Sequence, residues 1–319
     1  MKKKNYAYVT FMMKNDSFLP GALVIAYRLR KMNTSNDLVC MVTNKISNSA
    51  IGALKLVYDK VIVTEELFVS HQMSGKRQDR PYLFTRFQAL RLGLDGDLGQ
   101  KYEKIVLMDA DIMPLIHYDD LFQLETPAGI LNERKENCIG QHNHQEKEKW
   151  IWHDIYESVC SHGNIIPKYI TDRVSTDCSN MGVNACLWVL KPDFEDYIGI
   201  MKCLLEMSVR HEISRYQWPE MQVATIYWSG KWHNIDLRYC SFNGHPNLSC
   251  LYGTHFAGIK PWSEHDIDSV SHYYKYDDYK MWFAEFAEMM YYYPNLKKIT
   301  KLDNLLQNYY HIIIKRDRA

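Results

Sequence analysis

The chain has 319 residues, long for one domain yet within reach of an α/β domain carrying a C-terminal extension. Lys+Arg and Asp+Glu both number 38, so the formal net charge is zero and there is no basic footprint for nucleic acid or an anionic membrane. No stretch approaches the ~20 apolar residues of a membrane span, nothing reads as a secretory leader, and the 8 cysteines fall at no zinc-like spacing, which points to reduced thiols in a cytoplasmic protein.

Residues 6–12 read as a first strand, followed by a polar turn at 14–17. Pro20 and Gly21 then open a helix over 22–31, whose apolar residues recur at helical spacing. A strand over 38–43, a helix over 47–56 and a strand over 60–63 complete a strand–helix alternation. That order implies parallel strands joined by crossovers, hence a nucleotide-binding type of α/β sheet. A helix over about 85–94 leads into an apolar strand that starts at Lys104 and ends in Asp109-Ala110-Asp111. Residues 132–178 read as surface loops with a helix around 150–159. A further strand over 187–190 stops at Lys191-Pro192, and a helix follows through Met207. Beyond Asp266 the chain turns aromatic and helical, over 276–292 and 302–314, split at Pro294. The expected organisation is a main domain over 1–265 with a helical extension over 266–319 packed on it.

Three D-x-D triplets occur, at 95–97, 109–111 and 266–268. The first lies in a Gly/Asp-rich turn and the third in a polar segment, so only the middle one has an apolar strand behind it. On an extended backbone, residues i and i+2 point to the same side, so Asp109 and Asp111 can share one cation. Hard oxygen donors suit Mg²⁺ or Mn²⁺ and, through the metal, a diphosphate. A second candidate is the loop from Gly253 to Trp262. There His255 offers an imidazole ligand, Gly258 permits close backbone approach, and Lys260 supplies positive charge.

Taken in order, D-x-D after a strand, Asp119-Asp120-Leu121-Phe122, N-A-x-L-x-V-L-x-P from Asn184 and H-F-x-G-x-K-P-W from His255 resemble glycosyltransferase family 8, which includes glycogenins and galactinol synthases. The resemblance covers about residues 6–262. It implies an α/β, Rossmann-like GT-A fold: one nucleotide-sugar-binding domain with a mainly parallel sheet. It further implies a UDP-sugar donor (glucose or galactose foremost), Mn²⁺ or else Mg²⁺ as cofactor, and retention of anomeric configuration. The acceptor would be a hydroxyl of a glycan, a polyol or a protein. By position, Asp109, Asp111 and His255 are the implied metal ligands, and Ala110 lies between the two carboxylates against the donor. Lys260 and Gly258 match the diphosphate contacts, and Arg86 stands where the family has a lysine. Thr10, Phe11 and Met12 would frame the base, with Phe18 in place of a stacking tyrosine. Asn184 and Ala185 match the sugar-contacting motif, in which Cys186 replaces a glycine; Asn180 offers a competing alignment. Gln222 and Glu220 would lie beneath the anomeric carbon, with Met221 where glycogenin has aspartate.

Two rivals remain at this level. A haloacid-dehalogenase-type phosphohydrolase also has a strand ending in D-x-D but gives no role to the 255–262 motif. A sugar-nucleotide-binding protein without turnover would share the ligands, and Met221 leaves it open. The aromatic tail reads as packing first, with an acceptor or homodimer contact as the other use.

Overall fold

A computed structural model describes residues 5–71, 79–131, 160–242, 248–257, 259–263, 274 and 276–316. The helix expected over 150–159 and the triplet at 266–268 lie outside the described residues. The first half builds as the alternation implies: strand β1 (Tyr6–Met12), helix α1 (Leu19–Lys31), β2 (Asp37–Thr43), α2 (Asn48–Val57) and β3 (Lys60–Thr64). Pro20 sits in the first turn of α1, where its missing N–H costs nothing. Ser47 caps α2 by accepting a hydrogen bond from the Ala50 amide at 3.1 Å.

The strands then run β4 (Lys104–Met108), β5 (Ile112–Pro114), β6 (Ala128–Leu131), β7 (Val183–Leu190), β8 (His233–Asn234), β9 (Ser241–Phe242) and β10 (Gly253–His255). One sheet has the order β3-β2-β1-β4-β7-β6-β8 and a smaller one the order β5-β10-β9. Pairing is parallel across β3-β2-β1-β4 and antiparallel from β4 to β7 and from β7 to β6, and β8 runs parallel to β6. The chain winds outward from β1 to β3, then returns to β4 on the other side of β1. That reversal opens a crevice at the carboxyl ends of β1 and β4, where α/β sheets bind ligands.

Three local expectations change. The helix expected over 85–94 is a run of 3-10 turns, Arg80–Leu92, with Pro81 in its first turn. The strand expected over 187–190 begins at Val183, because β6 pairs with that end too, across a bulge between Gly129 and Ile130. The carboxylates do not share an extended strand: β4 stops at Met108, and 109–111 form a turn in which the Ile112 amide donates to the Asp109 carbonyl at 3.2 Å. The turn is anchored to β7 by the Asp109 amide, 2.9 Å from the Cys186 carbonyl.

The turn also leans on α1. A Cβ on Gly21 would stand 2.3 Å from the Ala110 carbonyl oxygen and 2.3 Å from Trp262 Cη2. Gly21→Ala is therefore expected to lower stability by about 1–3 kcal/mol through overpacking. A urea midpoint unchanged from the parent chain would contradict this close packing.

Helices Asp277–Tyr292 and Thr300–Arg316 bury aromatic residues in a core continuous from Ala7 to Ile312. Glu285 receives both Arg28 and Lys31 of α1. Trp282 packs against Trp262 with the rings tilted (centroids 5.3 Å apart), and the Tyr279 hydroxyl donates to the Ile259 carbonyl. The tail thus braces the segment that carries Lys260.

Candidate active site

A cavity of about 850 Å³ occupies the crevice. Phe11 and Met12 line it from the end of β1, and Asp109, Ala110 and Asp111 from the turn after β4. His255 arrives through strand register: β10 pairs antiparallel with β5, with His255 opposite Ile112, and the Phe256 amide donates to the Asp111 carbonyl at 2.9 Å. His255 and Asp111, 144 positions apart, are thereby neighbours. His255 Nε2 lies 3.3 Å from Asp111 Oδ1, and the Lys260 ammonium is paired with Asp111 Oδ2.

Burial alone would raise the Asp111 carboxyl pKa, but His255 and Lys260 override it and hold the group well below the carboxylate range. For His255 the signs reverse: burial lowers its pKa, the Asp111 charge outweighs that, and the imidazole is pushed up to about 10. Ligand atoms of Asp109, Asp111 and His255 all lie within 4.8 Å of one another. Asp111 Oδ1 is buried and, beyond its ion pair with His255, makes no hydrogen bond among the described residues. Two carboxylates and one imidazole at this spacing fit a divalent cation such as Mn²⁺ or Mg²⁺.

Arg86 enters from the 3-10 run, its side chain only 7% exposed. It donates to Asp109 Oδ1 at 2.9 Å and to the Ala185 carbonyl, and its guanidinium lies 5.5 Å from the Trp188 ring centroid. Burial opposes its charge, and Asp109 and Glu220 outweigh that penalty, so its pKa stays above the ordinary arginine value. Asn184 and Ala185 line the cavity from β7, and Asn184 Oδ1 accepts from the Cys186 amide at 2.9 Å. Phe18 reaches the rim, edge-on to Trp262 at 5.9 Å.

Two expected residues lie elsewhere. Thr10 is buried within the sheet, one residue short of the end of β1 that borders the cavity. Gln222 is fully buried: its amide nitrogen donates to the Cys178 and Asn180 carbonyls at 2.8 and 2.7 Å, and its oxygen accepts from the Trp218 amide at 2.8 Å. Glu220 and Met221 take the cavity wall instead. The helix Pro219–Tyr227 advances about 100° per residue, so a shift of one position exchanges wall for interior. Asn180 contributes its carbonyl to that inner network, which leaves Asn184 as the asparagine of the cavity. Gly258 lies outside the described residues.

Gln222→Ala is expected to cost about 2–4 kcal/mol of stability, because two carbonyls and one amide lose their partner. A melting temperature within a degree or so of the parent's would contradict that structural assignment.

Sequence reasoning missed Asp79, Trp218 and Lys14 on the cavity wall. Lys14 carried one signal, its place in the polar turn directly after β1.

Residues 9–284 match the family model described as glycosyl transferase family 8. An uncharacterized protein, R707, of Acanthamoeba polyphaga mimivirus is 26% identical over 304 residues, covering 89% of this chain and 95% of its own. Glycogenin-1 of Oryctolagus cuniculus is 33% identical over 122 residues, 37% of this chain and only 34% of the glycogenin. Among solved structures, the WbbM bifunctional glycosyltransferase superposes with a TM-score of 0.52 at 13% identity, over 89% of this chain and 50% of its own. The galactosyltransferase LgtC, solved with donor and acceptor sugar analogues, does so with a TM-score of 0.50 at 9% identity, over 81% and 90%.

Proposed function

The chain belongs to glycosyl transferase family 8, and from that premise we propose that it transfers a hexose, glucose or galactose, from a UDP-sugar to a hydroxyl acceptor. The observation that carries this reading is the meeting of Asp109, Asp111, His255, Lys260 and Arg86 on one cavity at the carboxyl ends of β1 and β4. Three are cation ligands by chemistry, and the other two are fixed positive charges suited to a diphosphate.

Asp109, Asp111 and His255 would hold a divalent cation, Mn²⁺ foremost, which when bound supplies charge to neutralise the diphosphate. The chain's own groups do the rest. Lys260 and Arg86 stabilise the charge that grows on UDP as the sugar–phosphate bond breaks. Phe11 and Met12 give the base an apolar seat, and Asn184 and Glu220 face the sugar. We favour attack from the face the phosphate leaves. The acceptor oxygen bonds to the anomeric carbon, the carbon–oxygen bond to phosphate breaks, and the departing phosphate takes the acceptor's proton. That course retains configuration without a covalent sugar on the protein. Glu220 is the carboxylate a double displacement would use instead, so a trapped glycosyl–Glu220 adduct would refute same-face attack.

A glycan, polyol or protein hydroxyl as acceptor and a cytoplasmic location belong to the same proposal. The location draws on the free cysteines among the described residues. Among those residues no helix is long and apolar enough to cross a membrane.

The test is UDP release from a panel of UDP-hexoses with Mn²⁺, in the parent chain and in Asp109→Ala. Release from one donor, lost in the variant, supports the assignment. Tight UDP binding with no release from any donor would favour a binding protein without turnover, a reading that Met221 on the cavity wall keeps in view.

A further inference from the structure

His255 also belongs to a second group of donors. Cys186 Sγ and Cys240 Sγ are 2.9 Å apart, and both residues are buried. Their sulfurs and a ring nitrogen of His255 all fall within 4.8 Å of one another. The three come from β7, from the turn just before β9, and from β10. The surrounding backbone is tied down: the Cys186 carbonyl receives the Asp109 amide at 2.9 Å, and the Cys240 amide donates to the Leu237 carbonyl at 2.9 Å. Cys186 and His255 line the donor cavity while Cys240 lies behind them, so an ion would enter from the cavity and meet the thiol pair at its inner wall.

Donor chemistry separates this group from its neighbour. Two carboxylates with an imidazole suit a hard cation, whereas two thiolates with an imidazole select a softer one, zinc above manganese or magnesium. Zn–S bonds of about 2.3 Å at a tetrahedral angle put sulfurs roughly 3.8 Å apart, so the pair need open by only about 1 Å from its present spacing. A small side-chain rotation at either cysteine provides that. Three protein ligands then leave a fourth position for water.

We propose that Cys186, Cys240 and His255 form a site for a thiophilic divalent ion, zinc foremost, that adjoins the hard-cation site and competes with it for His255. Binding exchanges two S–H bonds for two S–Zn bonds and one N–H bond of the His255 imidazolium for an N–Zn bond, and so releases three protons, with no change in oxidation state. Zinc binding stands apart from the transfer activity; only its consequence, inhibition through loss of His255 from the hard-cation site, rests on the function proposed above.

The test is a cobalt titration of the full, reduced chain, since Co²⁺ reports thiolate ligation by a near-ultraviolet charge-transfer band. The expected result is a band that saturates at one ion per chain and is abolished by one equivalent of Zn²⁺. Cys240→Ser and Cys186→Ser should each reduce it to the intensity of a single thiolate and weaken Zn²⁺ binding by at least ~100-fold, the loss that removal of a supporting partner can already cause. Asp109→Asn, which changes a side chain outside the thiol group and leaves its backbone bond to Cys186 in place, should keep the band. The proposal is overturned by a reduced parent chain without the band, by an undiminished band in Cys240→Ser, by its loss in Asp109→Asn, or by a Cys186–Cys240 disulfide that persists under reductant. The parent titration decides the matter even if a cysteine variant misfolds. Absence of UDP release would leave the cobalt result untouched.

Discussion

Asp111→Asn is expected to lower UDP-sugar turnover by about 100–1,000-fold, roughly 3–4 kcal/mol of lost transition-state stabilisation. The substitution keeps shape and volume but removes the charge to which His255, 3.3 Å away, and Lys260 are both directed. Its new amide would face two donors with a donor, so the local network loses its centre as well as a cation ligand. Mn²⁺ titration monitored by UDP release, with a thermal melt to confirm folding, separates loss of the cation from loss of the fold. Turnover within tenfold of the parent, with unchanged Mn²⁺ dependence, would show that Asp111 serves only to hold Lys260.

Arg86 is expected to carry the next largest effect. Its fork spans the Asp109 carboxylate and the Ala185 carbonyl, joining the turn after β4 to the neighbouring β7 at the cavity wall. Arg86→Ala removes both bonds from a buried position. It should destabilise the chain by about 2–3 kcal/mol and reduce turnover by about 100-fold or more, the scale seen for loss of one charge-stabilising group. Arg86→Lys keeps the charge but reaches only one partner at a time. An intermediate loss, about tenfold in kcat with stability largely retained, distinguishes a fork that positions Asp109 from a simple point charge. Equal activity of the lysine variant and the parent would argue for the point charge.

Much of the architecture was legible in the chain because its causes are local. Alternation of strands and helices over the first 64 residues follows from periodicity, Pro20 and the Ser47 cap, and each of those signals acts within a few residues. The triplet at 109–111 stood out from its two look-alikes for the same reason, an apolar strand directly before it. Its geometry was not legible. An extended pair and a turn both bring the carboxylates near one cation, and only the pairing of β4 with β7 and β5 with β10 selects the turn.

The glutamate–glutamine choice shows the limit most plainly. Glu220, Met221 and Gln222 are adjacent, and nothing local tells which will face the cavity. The azimuth of their helix against β7 and the 3-10 run decides it, sending Gln222 to the backbone of Cys178 and Asn180. Likewise no spacing rule joins Cys186 to Cys240 and His255, since a metal-ligand pattern in sequence requires ligands on one short segment and these sit on three.

What the sequence by itself determined is the α/β order, the carboxylate pair at a strand end, and the charged loop from His255 to Lys260. Each is written in contacts between near neighbours. What only the tertiary structure decided is which of those groups meet: Arg86 with Asp109, His255 with both Asp111 and the two thiols, and Glu220 in place of Gln222 on the cavity wall. Those meetings depend on strand register and helix azimuth, where a shift of one residue turns a side chain from the cavity to the core.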